Sequence, residues 1–300
     1  MTPMPDPAFV AAARRRPQIW RLLAGLATAA AIYAAGVAVF LGGYAAFQAA
    51  SAPPGAIPEM PSVGETPRDM VLLLASFGFM ALGGWAAARL LHGRALREMT
   101  GPAGPFWREA WVAAAVLLLV NLPFLAGALV WGDLAPNLAP GAWLVLLVPA
   151  LALVGLQTFA EELVFRGYLQ GQLMARFARP AIWLWTPAIL FGLAHYDPSR
   201  DPVLAWSVIA AITLFGLLCG DLTARTGRLG LAWGLHLANN AVSLLFVGFE
   251  EEMSGLALYL SEVDLEDSPW LVALDAGLLV LVWAILRALL PRLARPGGRA

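Results

Sequence analysis

Eight long apolar stretches dominate the sequence and limit the folds that are open to it. They cover residues 20–47, 70–91, 110–131, 142–165, 181–195, 203–221, 229–249 and 270–290. Since a helix rises 1.5 Å per residue, about 20 apolar residues are enough to cross a bilayer. Loops that carry Pro and Gly separate the stretches. The sequence therefore predicts an all-α, polytopic membrane protein with about eight transmembrane helices.

The composition agrees with this fold and narrows the possible partners. Hydrophobic residues make up 60% of the chain and charged residues 13%, and the mean hydropathy of +0.72 exceeds that of a soluble domain. We expect the lipid bilayer as a partner and no nucleic acid. Cys219 is the only cysteine, so an intramolecular disulfide is excluded.

The distribution of arginine predicts how the chain lies in the membrane. All 19 basic residues are Arg, and cytoplasmic loops of membrane proteins hold the positive charge. With eight helices and the N-terminus inside, only Arg68 and Arg200 fall outside. We therefore predict an integral protein of a bacterial-type inner membrane with cytosolic N- and C-termini. The acidic stretch at 250–267 then forms the last outer loop.

Two adjacent glutamates stand inside the fourth apolar stretch. An ionisable side chain at the bilayer centre costs at least about 2.5–3.5 kcal/mol on insertion scales, so each is a candidate functional residue. Glu162 and Arg166 are four residues apart and share one face of a helix, where they can pair. Glu161 points about 100° around the helix axis from Glu162. Its carboxylate is therefore not expected to pair with Arg166 and could serve another function.

The histidines supply the second part of the candidate site. His195 ends one apolar segment, whereas His236 and Asn240 stand one turn apart on one face of another. His92 lies among arginines at a predicted helix end, and we interpret it as an interfacial residue.

Helix lengths indicate that Glu161 and His195 lie at the same depth. Both are equally far along the chain from residue 178, where Pro180 is placed to start a new helix. An antiparallel hairpin brings them to one level, roughly 25 Å from its tip at 1.5 Å per residue. The tip carries Arg176 and Arg179 and should project into the cytosol. These positions predict a polar cavity that opens to the cytosol.

These residue types fit hydrolysis without a covalent intermediate. A carboxylate and an imidazole can activate a water for attack on a peptide carbonyl, and a second His with an Asn amide can donate to the oxyanion. The rival is a catalytic zinc held by Glu161, His195 and His236. The usual spacing of two His around a Glu in zinc peptidases is absent, so we predict no cofactor.

The segments Glu161-Glu-Leu-Val-Phe-Arg166, Phe191-Gly-Leu-Ala-His195 and His236-Leu-Ala-Asn-Asn240 resemble the motifs of the CPBP family. The family is also called Abi or type II CAAX prenyl endopeptidase-like. The resemblance implies a CAAX-protease-like intramembrane glutamic endopeptidase, of a type formerly classed as metalloprotease.

The resemblance also implies roles for individual residues. Glu161 and His195 would activate water, and His236 and Asn240 would form the oxyanion hole. Phe191, the first residue of the second motif, would support the site, as would Glu162 and Arg166 of the first motif. The resemblance further implies three regions: N-terminal transmembrane helices at 1–139 (about three), a catalytic core at 140–250, and an outer acidic loop with the last helix at 251–300.

The predicted function is hydrolysis of peptide bonds in a membrane-associated peptide or protein, including prenylated or bacteriocin-like substrates. An alternative is a non-catalytic immunity protein that binds a peptide, or a transporter of the same architecture. Transporters often show an internal repeat, and none is visible in this sequence. A scaffold in which both histidines only fill buried hydrogen bonds is the remaining alternative.

Overall fold

The chain folds into a bundle of membrane-length helices. The computed structural model describes residues 7–51, 61–132, 134–249, 253–265 and 268–293. Among these residues, six helices are long and apolar enough to cross a membrane. They are Ile19–Ser51 (α2), Pro67–His92 (α3), Ala103–Trp131 (α5), the continuous helix from Pro140 to Arg176, Pro202–Thr226 (α10) and Trp270–Leu293 (α12). The protein is thus an all-α integral membrane protein, as predicted.

Shorter elements complete the bundle. The continuous helix divides into Pro140–Glu162 (α6), a π-helical segment at Leu163–Gln170 (π1) and Gly171–Arg176 (α7). The other short helices are Pro7–Arg14 (α1), Arg97–Thr100 (α4), Pro180–Trp183 (α8), Trp185–Leu193 (α9) and Gly230–Ala241 (α11), which continues as a second π-helical segment at Val242–Phe246 (π2). Three short strands, Leu134–Pro136 (β1), Val247–Phe249 (β2) and Tyr259–Ser261 (β3), form a sheet in the order β1-β3-β2.

The predicted count of eight transmembrane helices is not confirmed. Two of the eight predicted stretches, 181–195 and 229–249, correspond to short helices that fall outside the six long ones. The fourth stretch is longer than the predicted 142–165, because the helix continues through π1 to Arg176. Pro180 begins α8 just after this helix ends, as the hairpin argument required.

Local sequence signals set several helix ends. Thr66 caps α3 by accepting a hydrogen bond from the Asp69 backbone N–H, and Pro67 opens the first turn. Asp201 caps α10 in the same way, with its carboxylate accepting from the Val203 and Leu204 amides. Gly227 closes α10 in the left-handed conformation (φ 64°), which only glycine adopts at little cost.

One end of the bundle gathers most of the arginines, and we call it the arginine-rich end. It contains α1, α4, the C-termini of α3, α7, α10 and α12, and the N-termini of α2, α5 and α11. Arg21 donates to the Leu91 carbonyl there at 2.9 Å. Arg94 lies buried at this end and donates to the Gly167 carbonyl at 3.0 Å. Burial lowers the pKa of Arg94 to about 10, so it remains charged at neutral pH.

The opposite end, which we call the sheet end, holds the three strands. β1 runs antiparallel to β3, and β2 runs parallel to it. The N-termini of α3 and α12 lie beside the sheet, and the Gly255 backbone N–H donates to the Gly64 carbonyl at 2.9 Å. This end carries few arginines, whereas several carboxylates lie on or near it.

His92 is not the interfacial residue that the sequence indicated. Its side chain is buried, with 1% of its surface exposed. One ring nitrogen lies 2.8 Å from the Arg16 carbonyl oxygen, and the other lies 3.0 Å from the Tyr168 hydroxyl. Partners from distant parts of the chain therefore satisfy the ring, which the local run of arginines did not indicate.

Candidate active site

The two adjacent glutamates lie at the end of α6 in different surroundings. Glu162 is fully buried, and its Oε1 accepts a hydrogen bond from Arg166 at 2.8 Å, so the predicted ion pair is present. Glu161 has 6% of its surface exposed and lines a cavity. The helical phase thus separates a paired carboxylate from one that faces open space, as the sequence predicted.

His236 lies between the two carboxylates. Its Nδ1 is 2.9 Å from Glu162 Oε1, and its Nε2 is 3.4 Å from Glu161 Oε2. An ionised carboxylate can only accept a hydrogen bond. The hydrogen bond is therefore the one between His236 Nδ1 and Glu162, while Nε2 faces Glu161 Oε2 in a looser contact.

Gln157 connects Glu161 to Asn240, a link that the sequence analysis did not predict. The Gln157 Nε2 donates to Glu161 Oε2 at 2.7 Å, and its Oε1 accepts from Asn240 Nδ2 at 3.0 Å. Gln157 stands one turn before Glu161 in an apolar helix, and this position was the signal that could have identified it. A continuous polar chain therefore runs from Asn240 through Gln157 and Glu161 to His236.

His195 reaches the site from the end of α9. Its Nδ1 lies 2.8 Å from the Phe191 carbonyl oxygen, which can only accept, so this nitrogen carries a hydrogen. In a neutral ring the Nε2 then has its lone pair available. The Phe191 ring packs edge-on against the His195 ring, with 4.9 Å between centroids. The Arg166 guanidinium lies over the Phe191 ring, 4.4 Å from its centroid. Phe191 therefore contacts both a predicted catalytic residue and a predicted supporting one.

All four predicted catalytic residues line one cavity of about 500 Å³. Its polar lining consists of Gln157, Glu161, His195, His236, Asn239, Asn240, Ser243 and Asp275, and the other lining residues are apolar or aromatic. The Glu162–Arg166 pair lies behind this lining. Asp275 belongs to α12, outside the three motifs, and was not among the residues predicted from the sequence. The structure thus brings the predicted residues together, whereas their individual roles stay predictions.

Two of the three motif-bearing helices, α6 and α11, change to π-helical geometry just after the candidate residues. π1 begins at Leu163, directly after Glu162, and π2 begins at Val242, two residues after Asn240. Single π-helical turns inside α-helices occur frequently at functional sites. The wider turn changes the direction in which the following side chains point. Arg166 lies within π1 and contacts Glu162.

The rival zinc site is not assembled in this arrangement. Within the residues that the structure describes, no three His, Cys, Asp or Glu side chains are grouped so that they could hold a metal ion. Glu161 and His236 contact each other, while the Nδ1 of His195 is engaged by a backbone carbonyl.

Comparisons with known proteins agree with the resemblance at the three motifs. A family model described as "Type II CAAX prenyl endopeptidase Rce1-like" matches residues 140–242. The "Uncharacterized protein YyaK" of Bacillus subtilis (strain 168) is 30% identical over 196 residues, or 62% of this chain. The chain spans only 64% of the length of that relative. No solved structure gives a significant match.

The family match bears on the predicted alternatives. It covers α6, π1 and the helices as far as the start of π2, and it therefore includes every one of the predicted site residues. It does not favour a non-catalytic binding protein or a transporter. Residues 140–242 of this chain are thus similar to the type II CAAX prenyl endopeptidase Rce1-like family.

Proposed function

We propose that the protein is an intramembrane endopeptidase that hydrolyses peptide bonds of a membrane-associated substrate with a water activated by Glu161 and His195. One observation carries the proposal: a carboxylate, two imidazoles and a carboxamide meet in one cavity within a bundle of apolar helices. The family match at residues 140–242 supports a protease activity in general.

Activation of water needs proton acceptors that are not already engaged. Glu161 accepts from Gln157 and contacts His236 through Oε2, and among the described residues Oε1 makes no such contact. The His195 ring has Nε2 available, because Nδ1 donates to the backbone. A water held between these acceptors would give one proton to the site as its oxygen attacks the peptide carbonyl carbon.

The attack creates a negative oxygen that needs hydrogen-bond donors. Asn240 uses one N–H on Gln157, so the second N–H of the same amide remains for the oxyanion. His236, whose Nε2 lies beside Glu161 at the cavity, would be the second donor to the oxyanion when that nitrogen carries a hydrogen. One good donor to an oxyanion contributes about 2.7–4 kcal/mol to the transition state.

Collapse of the tetrahedral intermediate completes the reaction. The carbonyl re-forms, the C–N bond breaks, and the leaving amine takes the proton that Glu161 or His195 removed from the water. The products are one carboxylic acid, which ionises to the carboxylate, and one amine, so the reaction needs no oxidant or reductant. Glu162 and Arg166 would act from behind the site by holding His236 in place through the Glu162 Oε1 contact.

The cavity indicates the kind of substrate. Its volume of about 500 Å³ accommodates a short stretch of extended peptide, and its walls are largely Leu, Phe and Met side chains. Such a lining favours apolar segments of membrane-associated peptides or proteins. The lipid bilayer is the expected surrounding of the enzyme and of its substrate.

Comparative peptidomics tests the proposal most directly. Cells that carry the native chain are compared with cells that carry Glu161→Ala and with cells that carry Glu262→Ala, a matched control outside the cavity lining. We expect a set of cleavage products that is present with the native chain and the Glu262 variant and absent with Glu161→Ala. Identical peptide sets in all three strains would contradict the proposed function.

A further inference from the structure

Asp275 places in the cavity a carboxylate for which the proposed mechanism has no use. It is the only acidic residue of α12, and its side chain is exposed where it lines the cavity. It lies outside residues 140–242. The family match therefore assigns it no role.

Asp275 stands inside an apolar helix of membrane length. α12 begins at Trp270, an exposed ring of the kind that is enriched at membrane interfaces. At 1.5 Å per residue, Asp275 lies about 8 Å further along the helix axis. Its neighbours in the chain, Leu274 and Ala276, are apolar. An ionisable side chain in such a position is costly and is therefore a candidate functional residue.

Packing brings Asp275 close to the proposed catalytic residues. Leu279, one helical turn after Asp275, lines the same cavity and belongs to the same packed apolar cluster as Phe191 and Phe215. Both rings contact the His236 ring, with 5.8 Å and 5.0 Å between centroids. One helical turn corresponds to about 6 Å along the axis. A few residues of an extended peptide, at about 3.3 Å each, would therefore reach from His236 to Asp275.

The cavity offers Asp275 no positive partner. Its lining, as far as the structure describes it, contains the acids Glu161 and Asp275 and no arginine. Arg166 lies behind the lining and pairs with Glu162. Among the described residues, no hydrogen bond or ion pair engages the Asp275 carboxylate. A carboxylate in apolar surroundings is stabilised by a nearby cation, and a cation from the substrate would supply the missing partner.

We propose that Asp275 is a specificity-determining residue, which binds a Lys or Arg side chain of the substrate close to the bond that is cleaved. The proposal rests on the proposed function, because it assigns one part of the substrate of the same site. Lys and Arg carry their charge on long apolar stems. Such a stem suits the walls formed by Leu279 and Phe215, while the charged end meets the carboxylate. The preferred substrate is then an apolar segment interrupted by a basic residue.

Peptide binding without hydrolysis tests this role. The protein is Glu161→Gln, purified in an uncharged detergent, so that Asp275 is the only acid left in the described part of the cavity lining. The probes are short acetylated and amidated peptides of Leu and Ala that carry one Arg, with the position of the Arg varied from peptide to peptide. The same peptides with Gln in place of Arg serve as neutral counterparts. Each peptide carries an uncharged fluorophore, and Kd is measured by fluorescence anisotropy at low salt.

We expect at least one Arg peptide to bind about tenfold more tightly than its Gln counterpart, as an added charge pair shielded from bulk water would produce. Addition of Asp275→Asn should abolish this difference and leave binding of the Gln peptide unchanged, whereas Asp275→Glu should retain the difference. The matched control is Asp264→Asn, the same exchange at an exposed position outside the lining, which should also retain it.

Two kinds of result would contradict the proposal. Equal binding of the Arg and Gln peptides, or a preference for Arg that survives Asp275→Asn, would show that Asp275 does not bind the cation. Loss of the Gln peptide together with the Arg peptide in the Asp275→Asn variant would show that Asp275 is a structural residue.

Cleavage products separate this proposal from the proposed function. In the comparison of peptidomes, products that depend on Glu161 should carry Lys or Arg within about four residues of the new terminus, at about 3.3 Å per residue. Asp275→Asn should reduce these products about tenfold and leave Glu161-dependent products without a basic residue in place. Glu161-dependent products without any such preference would contradict the role of Asp275 alone. A preference for Arg in binding, with no product that depends on Glu161, would support the cation site and contradict the protease activity.

Discussion

His236 Nε2 lies 3.4 Å from Glu161 Oε2, while the other nitrogen of the same ring lies 2.9 Å from Glu162 Oε1. One imidazole thus joins a carboxylate that lines the cavity to a carboxylate that is fully buried. Although the two glutamates are neighbours in the chain, their replacement should have different consequences. Replacing Glu161 should reduce the rate of cleavage, and replacing Glu162 should lower the stability of the fold.

The first prediction concerns Glu161. Glu161→Gln keeps the size and the hydrogen-bonding capacity of the side chain but removes the carboxylate that would take a proton from water. We expect loss of cleavage of a substrate identified by peptidomics, with a melting temperature in detergent close to that of the native protein. Full activity of this variant would contradict the assignment of Glu161 as the base.

The second prediction concerns the buried partner. Glu162→Gln leaves the Arg166 guanidinium, 1% exposed, without its counter-charge, and breaking a buried pair in this way costs about 3–5 kcal/mol. We expect a clear loss of thermal stability in detergent. The matched control is Arg200→Gln, which removes a partly exposed pair with Asp197 of a kind worth about 0–1 kcal/mol. Equal melting temperatures for both variants would show that the Glu162 pair is not structural.

The third prediction concerns the link between Gln157 and Asn240. Asn240→Ala removes a donor to the oxyanion, and loss of one such donor lowers kcat by about 10²-fold to 10³-fold. If Gln157 positions that amide, as the 3.0 Å hydrogen bond indicates, the two residues are energetically coupled. The effect of Asn240→Ala on kcat should therefore be smaller in a Gln157→Leu background than in the native chain. Additive effects in this double-mutant cycle would exclude a positioning role for Gln157.

Part of this site could be predicted because helix geometry is regular over short distances. The i, i+4 spacing placed Arg166 beside Glu162, and the hairpin length placed Glu161 and His195 in one cavity. These two inferences need only the rise and the period of a helix. They do not depend on how one helix is rotated against another.

The remaining features depend on packing between distant segments, which no local pattern encodes. The Gln157–Asn240 hydrogen bond requires a particular rotation of α6 against α11, and Gly155 helps to set it by accepting from Trp233. Asp275 joins the cavity only because α12 packs beside α10.

The fourth prediction concerns the packing that holds α11 in place. A Cβ at Gly234, two residues before His236, would overlap the backbone of Ala110 on α5, whereas a Cβ at Gly42 would meet nothing within 4 Å. Overpacking a tight contact costs about 1–3 kcal/mol, and small residues allow such close helix approach in membranes. We expect Gly234→Ala to lower the melting temperature in detergent and Gly42→Ala to leave it unchanged or raise it. Equal stability of the two variants would contradict the close packing of α11 on α5.

The last prediction concerns metal. A zinc-bound water requires deprotonated ligands closed around the ion, so chelation would stop the reaction and added metal would restore it. A water activated by Glu161 and His195 requires no ion, and the contacts of His236 with two carboxylates and of Asn240 with Gln157 are those of hydrogen-bonding groups. We therefore expect purified protein, treated with a strong chelator and measured for metal by mass spectrometry, to retain its cleavage activity. Stoichiometric zinc whose removal reversibly stops turnover would instead make Glu161, His195 and His236 metal ligands.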